Sequence, residues 1–154
     1  MRKLSKYLAL PAEDRRLLRG ASWRLLLAWA ALKVLPLPRL LATLERRGVD
    51  CRPHSPEATR RVARAVEVAA RNWPIALTCL PQGLATCWML QSAGAAPHLH
   101  YGVQAIERQG GVPAITPHGF RAHAWVELDG QPVIGHRVAQ GFTTLAVFPH
   151  DERR

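Results

Sequence analysis

Cysteine, acidic residues and long apolar runs are all scarce in this chain, and each scarcity excludes something. The 154 residues include three cysteines, Cys51, Cys79 and Cys87. An odd number without framework spacing argues against a disulfide-stapled secreted scaffold. No CxxC or HxxxH spacing occurs, so the familiar zinc patterns are missing. The most lipophilic stretch, 25–32, holds eight residues between Arg24 and Lys33. A bilayer-spanning helix needs about 20, so no transmembrane segment is expected. The N-terminus starts basic, but Pro11, Glu13 and Asp14 arrive before any long apolar run. No cleavage pattern follows, which speaks against a signal peptide. With both signals missing, the expected location is cytoplasmic. There is no Gly-rich phosphate loop, no internal repeat and no low-complexity tract. After position 71 no basic run interleaves with aromatics, so nucleic acid is not an expected partner.

What is present suits one folded unit. The length fits a single domain, 1–154, and a hydrophobic fraction of 48% is ample for a core. The net charge is +10, from 21 Lys and Arg against 11 Asp and Glu. An Arg-rich genome composition accounts for that surplus; so does an acidic partner. Composition shifts near position 95, from helix-like to strand-like. Pro11, Glu13 and Asp14 open a helix whose apolar residues run from Leu17 to Leu35, with Pro36 and Pro38 as its breakers. A short helix is expected from about Arg39 to Arg47, closed by Gly48, and VDCRPH reads as a loop. Ser55-Pro56-Glu57 starts a third helix, with Ala58, Val62, Ala65, Val66 and Ala69 on one face. Thr78-Cys79-Leu80-Pro81 opens a fourth, with Leu80, Leu84, Cys87 and Trp88 as its apolar face and Gly94 near its end. Strands follow from His98 and from Phe120. A hairpin turn stands at Asp129-Gly130, with further strands near 132–136 and 143–148. The fold class is α+β, helices followed by a small antiparallel sheet.

Cys79 lies at the predicted start of a helix. Unpaired N–H groups and the helix dipole there favour thiolate over thiol and can hold an oxyanion. The structural alternative is a small buried hydrophobe. Cys87, two turns further on, reads as core. His123 alternates with the apolar residues of its strand, so it faces a cleft or solvent. It can take the Cys79 proton and return it to a leaving amine. The plainer account is a surface histidine; a helix-start cysteine 44 positions upstream is what lifts it. His98 and His100 share a strand face, a spacing that also suits a metal, but no metal or cofactor is expected.

The segments CLPQGLATCWMLQSAG, HYGVQ and FRAHAWVELDGQPVIG resemble the transglutaminase-like maturation peptidases of lasso-peptide biosynthesis. LPAEDRRLL and LPRLL resemble the helical leader segment of those proteins, so the likeness covers nearly the whole chain. It implies a papain-like cysteine protease core at 51–154 preceded by a helical segment, 1–50. It implies removal of the leader peptide from a ribosomally made precursor, with Cys79 and His123 catalytic. The implied partners are the precursor peptide, a separate leader-recognition protein and a macrolactam cyclase.

The chain departs from that family at one position. The family carries an Asp about twelve positions after the His; here that position is Gly135. A two-residue turn at 129–130 would place His136 roughly opposite His123, so His136 is the candidate third residue. Two further functions stay open: a non-catalytic peptide-binding module on the same fold, and a thiol acyltransferase in which an amine replaces water.

Overall fold

The computed structural model describes Tyr7 and residues 9–45, 54–105 and 120–149. Helix α1 spans Ala12–Val34, with Pro11 at its N-cap, Glu13 and Asp14 in its first turn and Lys33 in its last. Acid at the start and base at the end match the helix dipole. Ala21, Leu25 and Ala28 recur at helical spacing and are buried. Helix α2 spans Leu37–Glu45 and buries Leu40 and Leu44. Pro38 therefore sits inside the first turn of α2 and does not break the chain there. The missing N–H of proline has no intrahelical role in a first turn. The expected end of this helix at Arg47–Gly48 and the loop after it as far as Pro53, Cys51 included, lie outside the described residues.

Helix α3, Pro56–Asn72, begins where the Ser-Pro-Glu signal puts it. The Ser55 hydroxyl accepts from the Glu57 N–H at 3.3 Å. Val62, Ala65, Val66 and Ala69 are buried, while Arg60, Arg61, Arg64 and Arg71 stay exposed. Helix α4, Cys79–Ser92, is buried on most sides, from Pro81 through Gln91. An all-round burial of this kind marks a central helix.

The sheet has four antiparallel strands in the order β3-β2-β1-β4. They are β1 (His98–Ala105), β2 (Phe120–Leu128), β3 (Gln131–Ile134) and β4 (Thr143–Phe148). The β2–β3 turn has positive φ at both Asp129 (51°) and Gly130 (72°). That is the mirror-image turn whose twist suits a hairpin. Strand β3 stops at Ile134, short of the expected His136, because Gly135 turns the chain at φ 81° into a short helix, α5 (His136–Ala139). The chain then crosses to the far edge, where β4 pairs with β1.

One hydrophobic cluster unites Leu25 of α1, Leu44 of α2, Val66 of α3, Leu84 and Leu90 of α4, and Leu99 and Val126 of the sheet. The apolar face of β2 is buried only from Ala124 onward; Phe120 and Ala122 at its start are exposed. The protein is thus a helical layer on one face of a small sheet, an α+β arrangement.

Candidate active site

Cys79 is the first residue of α4. It is half-buried and packs against the core cluster. Thr78 precedes it in extended conformation and makes no side-chain cap. The first-turn N–H groups therefore receive no bond from that side chain, and Cys79 belongs to the turn where the positive end of the helix dipole lies. Gln82, one turn on, donates from Nε2 to the Leu77 carbonyl at 2.9 Å and braces the entry into the helix. Beside this entry runs a groove of about 590 Å³, lined by Glu67, Arg71, Trp73, Ile75, Leu77 and Gln82. Cys87 differs in every respect: it is wholly buried, and burial pushes its thiol well above the ordinary range.

Register decides which side chains share a face. Leu99 pairs with Val126 and Tyr101 with Ala124; His100 pairs with Trp125 and Gly102 with His123. The first two pairs face α4, since a Cβ on Gly83 would lie 2.6 Å from Leu99 Cδ1 and 3.7 Å from Val126 Cγ2. His123, Trp125 and Glu127 occupy the other face by the two-residue period of a strand. No hydrogen bond joins Cys79 to His123 among the described residues.

On that second face His123 is held closely. Its Nε2 lies 2.8 Å from the Gly135 carbonyl oxygen. The ring is stacked on Trp125 (centroids 6.2 Å, 17° between planes) and tilted against Phe142 at 5.4 Å. Trp125 also stacks on His100 at 5.3 Å and donates from Nε1 to Glu127 Oε1 at 3.1 Å. Glu127 Oε2 is 3.4 Å from His100 Nε2. Three influences act on His100: burial disfavours the imidazolium, the Glu127 carboxylate favours it, and charge repulsion from the nearby His98 disfavours it. Burial prevails, and the His100 pKa falls below its ordinary value.

His136 does not stand across from His123. A register shift between Val126 and Glu127 changes the pairing from Glu127↔Pro132 to Val126↔Ile134. His136 then opens α5 and is exposed. Gly135 is the residue brought against β2, where a Cβ would lie 2.9 Å from the Ala124 carbonyl oxygen and 3.1 Å from Trp125 Cβ. Among the described residues no group of three or more His, Cys, Asp or Glu side chains is arranged to hold a metal ion, His98 and His100 included. Sequence reasoning missed the stacked platform of His100, Trp125 and Glu127. The alternation in HAWVE was the available signal, because it puts positions 123, 125 and 127 on one face. The hairpin turn and the family's Asp position both brought Gly135 near His123, but nothing in the sequence signalled its carbonyl as the partner, or Phe142 as a neighbour.

A family model described as transglutaminase-like superfamily matches residues 22–147. No curated protein and no solved structure matches the chain.

Proposed function

This chain belongs to the transglutaminase-like superfamily, and from that premise we propose a cysteine peptidase with Cys79 as nucleophile and His123 as its base. The observation that carries the reading is the contrast between two cysteines of one helix. Cys79 is half-buried at the N-terminal end and Cys87 is sealed in the core. Only the first combines access with a place in the first turn of a helix, as a nucleophile requires. In the reaction the Cys79 thiolate attacks the scissile carbonyl, and N–H groups at the start of α4 hold the oxyanion. The C–N bond breaks as His123 delivers a proton to the leaving amine. Water, deprotonated by His123, then frees the acyl group.

The proposed substrate is the leader-bearing precursor of a lasso peptide. Its support is the sequence likeness in CLPQGLATCWMLQSAG and FRAHAWVELDGQPVIG. The same reading supplies a separate leader-recognition protein and a macrolactam cyclase as partners, a cytoplasmic setting and no cofactor. No helix among the described residues is long and apolar enough to cross a membrane. Incubating the Cys79→Ala variant with precursor and recognition protein should give no cleavage products by mass spectrometry. Wild-type rates in that variant would refute the assignment.

One observation favours a second reading. His123 lies on the sheet face opposite the one on which α4 packs. A non-catalytic module that presents a peptide to another enzyme needs no bond between residues 79 and 123. The pH profile of iodoacetamide alkylation separates the two. A Cys79 thiolate titrating well below about 8.5 supports the enzyme, and a sluggish thiol supports the module. An acyltransferase would reveal itself by product mass, with an amine in place of water.

A further inference from the structure

We infer that the main-chain carbonyl of Gly135 is the positioning group for His123, holding the imidazole as the Nε2–H tautomer and leaving Nδ1 to accept the proton. Its role in catalysis rests on the peptidase reading above; the tautomer does not.

The argument starts from the 2.8 Å separation between His123 Nε2 and the Gly135 oxygen. A carbonyl oxygen can only accept, so the ring nitrogen facing it must carry hydrogen. In the neutral ring that leaves the lone pair on Nδ1. Trp125 stacks against the ring and Phe142 leans on it, so both neighbours help to restrain its orientation. The tautomer and the orientation of the base are thus set together, the task that a third polar side chain performs in a nucleophile–base–orienter arrangement.

The geometry also explains why position 135 is glycine. Its φ of 81° lies in the left-handed region, which L side chains rarely adopt. A Cβ there would press on the Ala124 carbonyl oxygen at 2.9 Å and on Trp125 Cβ at 3.1 Å. No carboxylate side chain can be housed at this point, yet the backbone of the same residue reaches His123. The register shift between Val126 and Glu127 delivers that backbone. A neutral carbonyl orients the ring but stabilises an imidazolium less than a carboxylate does.

The test is a long-range 1H–15N correlation spectrum of the histidine rings in the labelled full-length chain, with His123 assigned by its loss in His123→Gln. Above neutral pH, His123 should show a protonated Nε2 and a bare Nδ1. An Nδ1–H form, or an even mixture of the two, would overturn the inference, and the spectrum that decides it is that of the unaltered chain. The Gly135→Ala variant then probes the role. If circular dichroism shows it folded, alkylation of Cys79 should slow by at least about tenfold and lose the limb of its pH profile that His123 creates. An unchanged profile in a folded variant would overturn the positioning role. Failure of the peptidase reading shows separately, as cleavage that survives Cys79→Ala, and leaves the tautomer measurement standing.

Discussion

At Cys79 and Cys87, eight positions apart on one helix, the same side chain meets opposite surroundings. Reactivity follows thiolate content and access. In a Cys51→Ser background, native protein treated with iodoacetamide should carry one label, at Cys79. Cys87 should react only after denaturation, as read by peptide mass mapping. His100 gives a prediction in pH. Its pKa is lowered from 6.5, chiefly by burial. The unfolded chain therefore binds the proton at higher pH than the folded one. The stabilisation is fully present above about 6.5 and is lost as pH falls through the lowered folded value. Urea midpoints measured downward from pH 7 should fall across that window. They should fall less steeply in His100→Asn, which removes the titrating group.

At the scale of elements, α4 meets the sheet through its glycine. Gly83 lets the helix backbone approach Leu99 and Val126 closely. A valine there must displace Leu99, and overpacking of this kind costs about 1–3 kcal/mol. Equilibrium denaturation of Gly83→Val should show that loss, whereas a change at exposed Glu67 should show almost none. Helix α3 depends on its cap. Replacing Ser55 by Ala should cost about 0.5–1 kcal/mol, at the low end of cap effects because the bond is long at 3.3 Å. Helix starts were legible because capping is local chemistry. Ser-Pro-Glu and Thr-Cys-Leu-Pro announced α3 and α4 at the residues where they begin. Strand β3 was overestimated because its end depends on a backbone turn at Gly135 that no neighbouring side chain signals.

At the scale of the molecule, the N-terminal helices belong to the core. Ala21, Leu25 and Ala28 of α1 share one cluster with Leu84 of α4 and Val126 of β2. Arg61 of α3 adds a tie to α1, 3.0 Å from Glu13 and 2.8 Å from Asp14. Both pairs are solvent-exposed, so packing carries the attachment. We accordingly propose that 1–154 folds as one unit. Removing residues 1–50 should abolish the cooperative thermal transition and raise binding of a hydrophobic dye. Arg61→Ala should leave the melting temperature nearly unchanged.

The sequence by itself determined the α+β order, the helix starts, the hairpin at Asp129-Gly130, the buried state of Cys87 and the likeness to a family of thiol enzymes. These follow from periodicity, capping and turn chemistry, which act over a few residues. Strand alternation and the hairpin turn brought Trp125 and Gly135 near His123, but the tertiary structure alone decided which groups touch its ring. The Gly135 carbonyl, the Trp125 face and the Phe142 ring come from separate stretches of chain, brought together by strand register and a one-residue shift. A slip of one position would have turned those groups to the other face, and no local pattern records it.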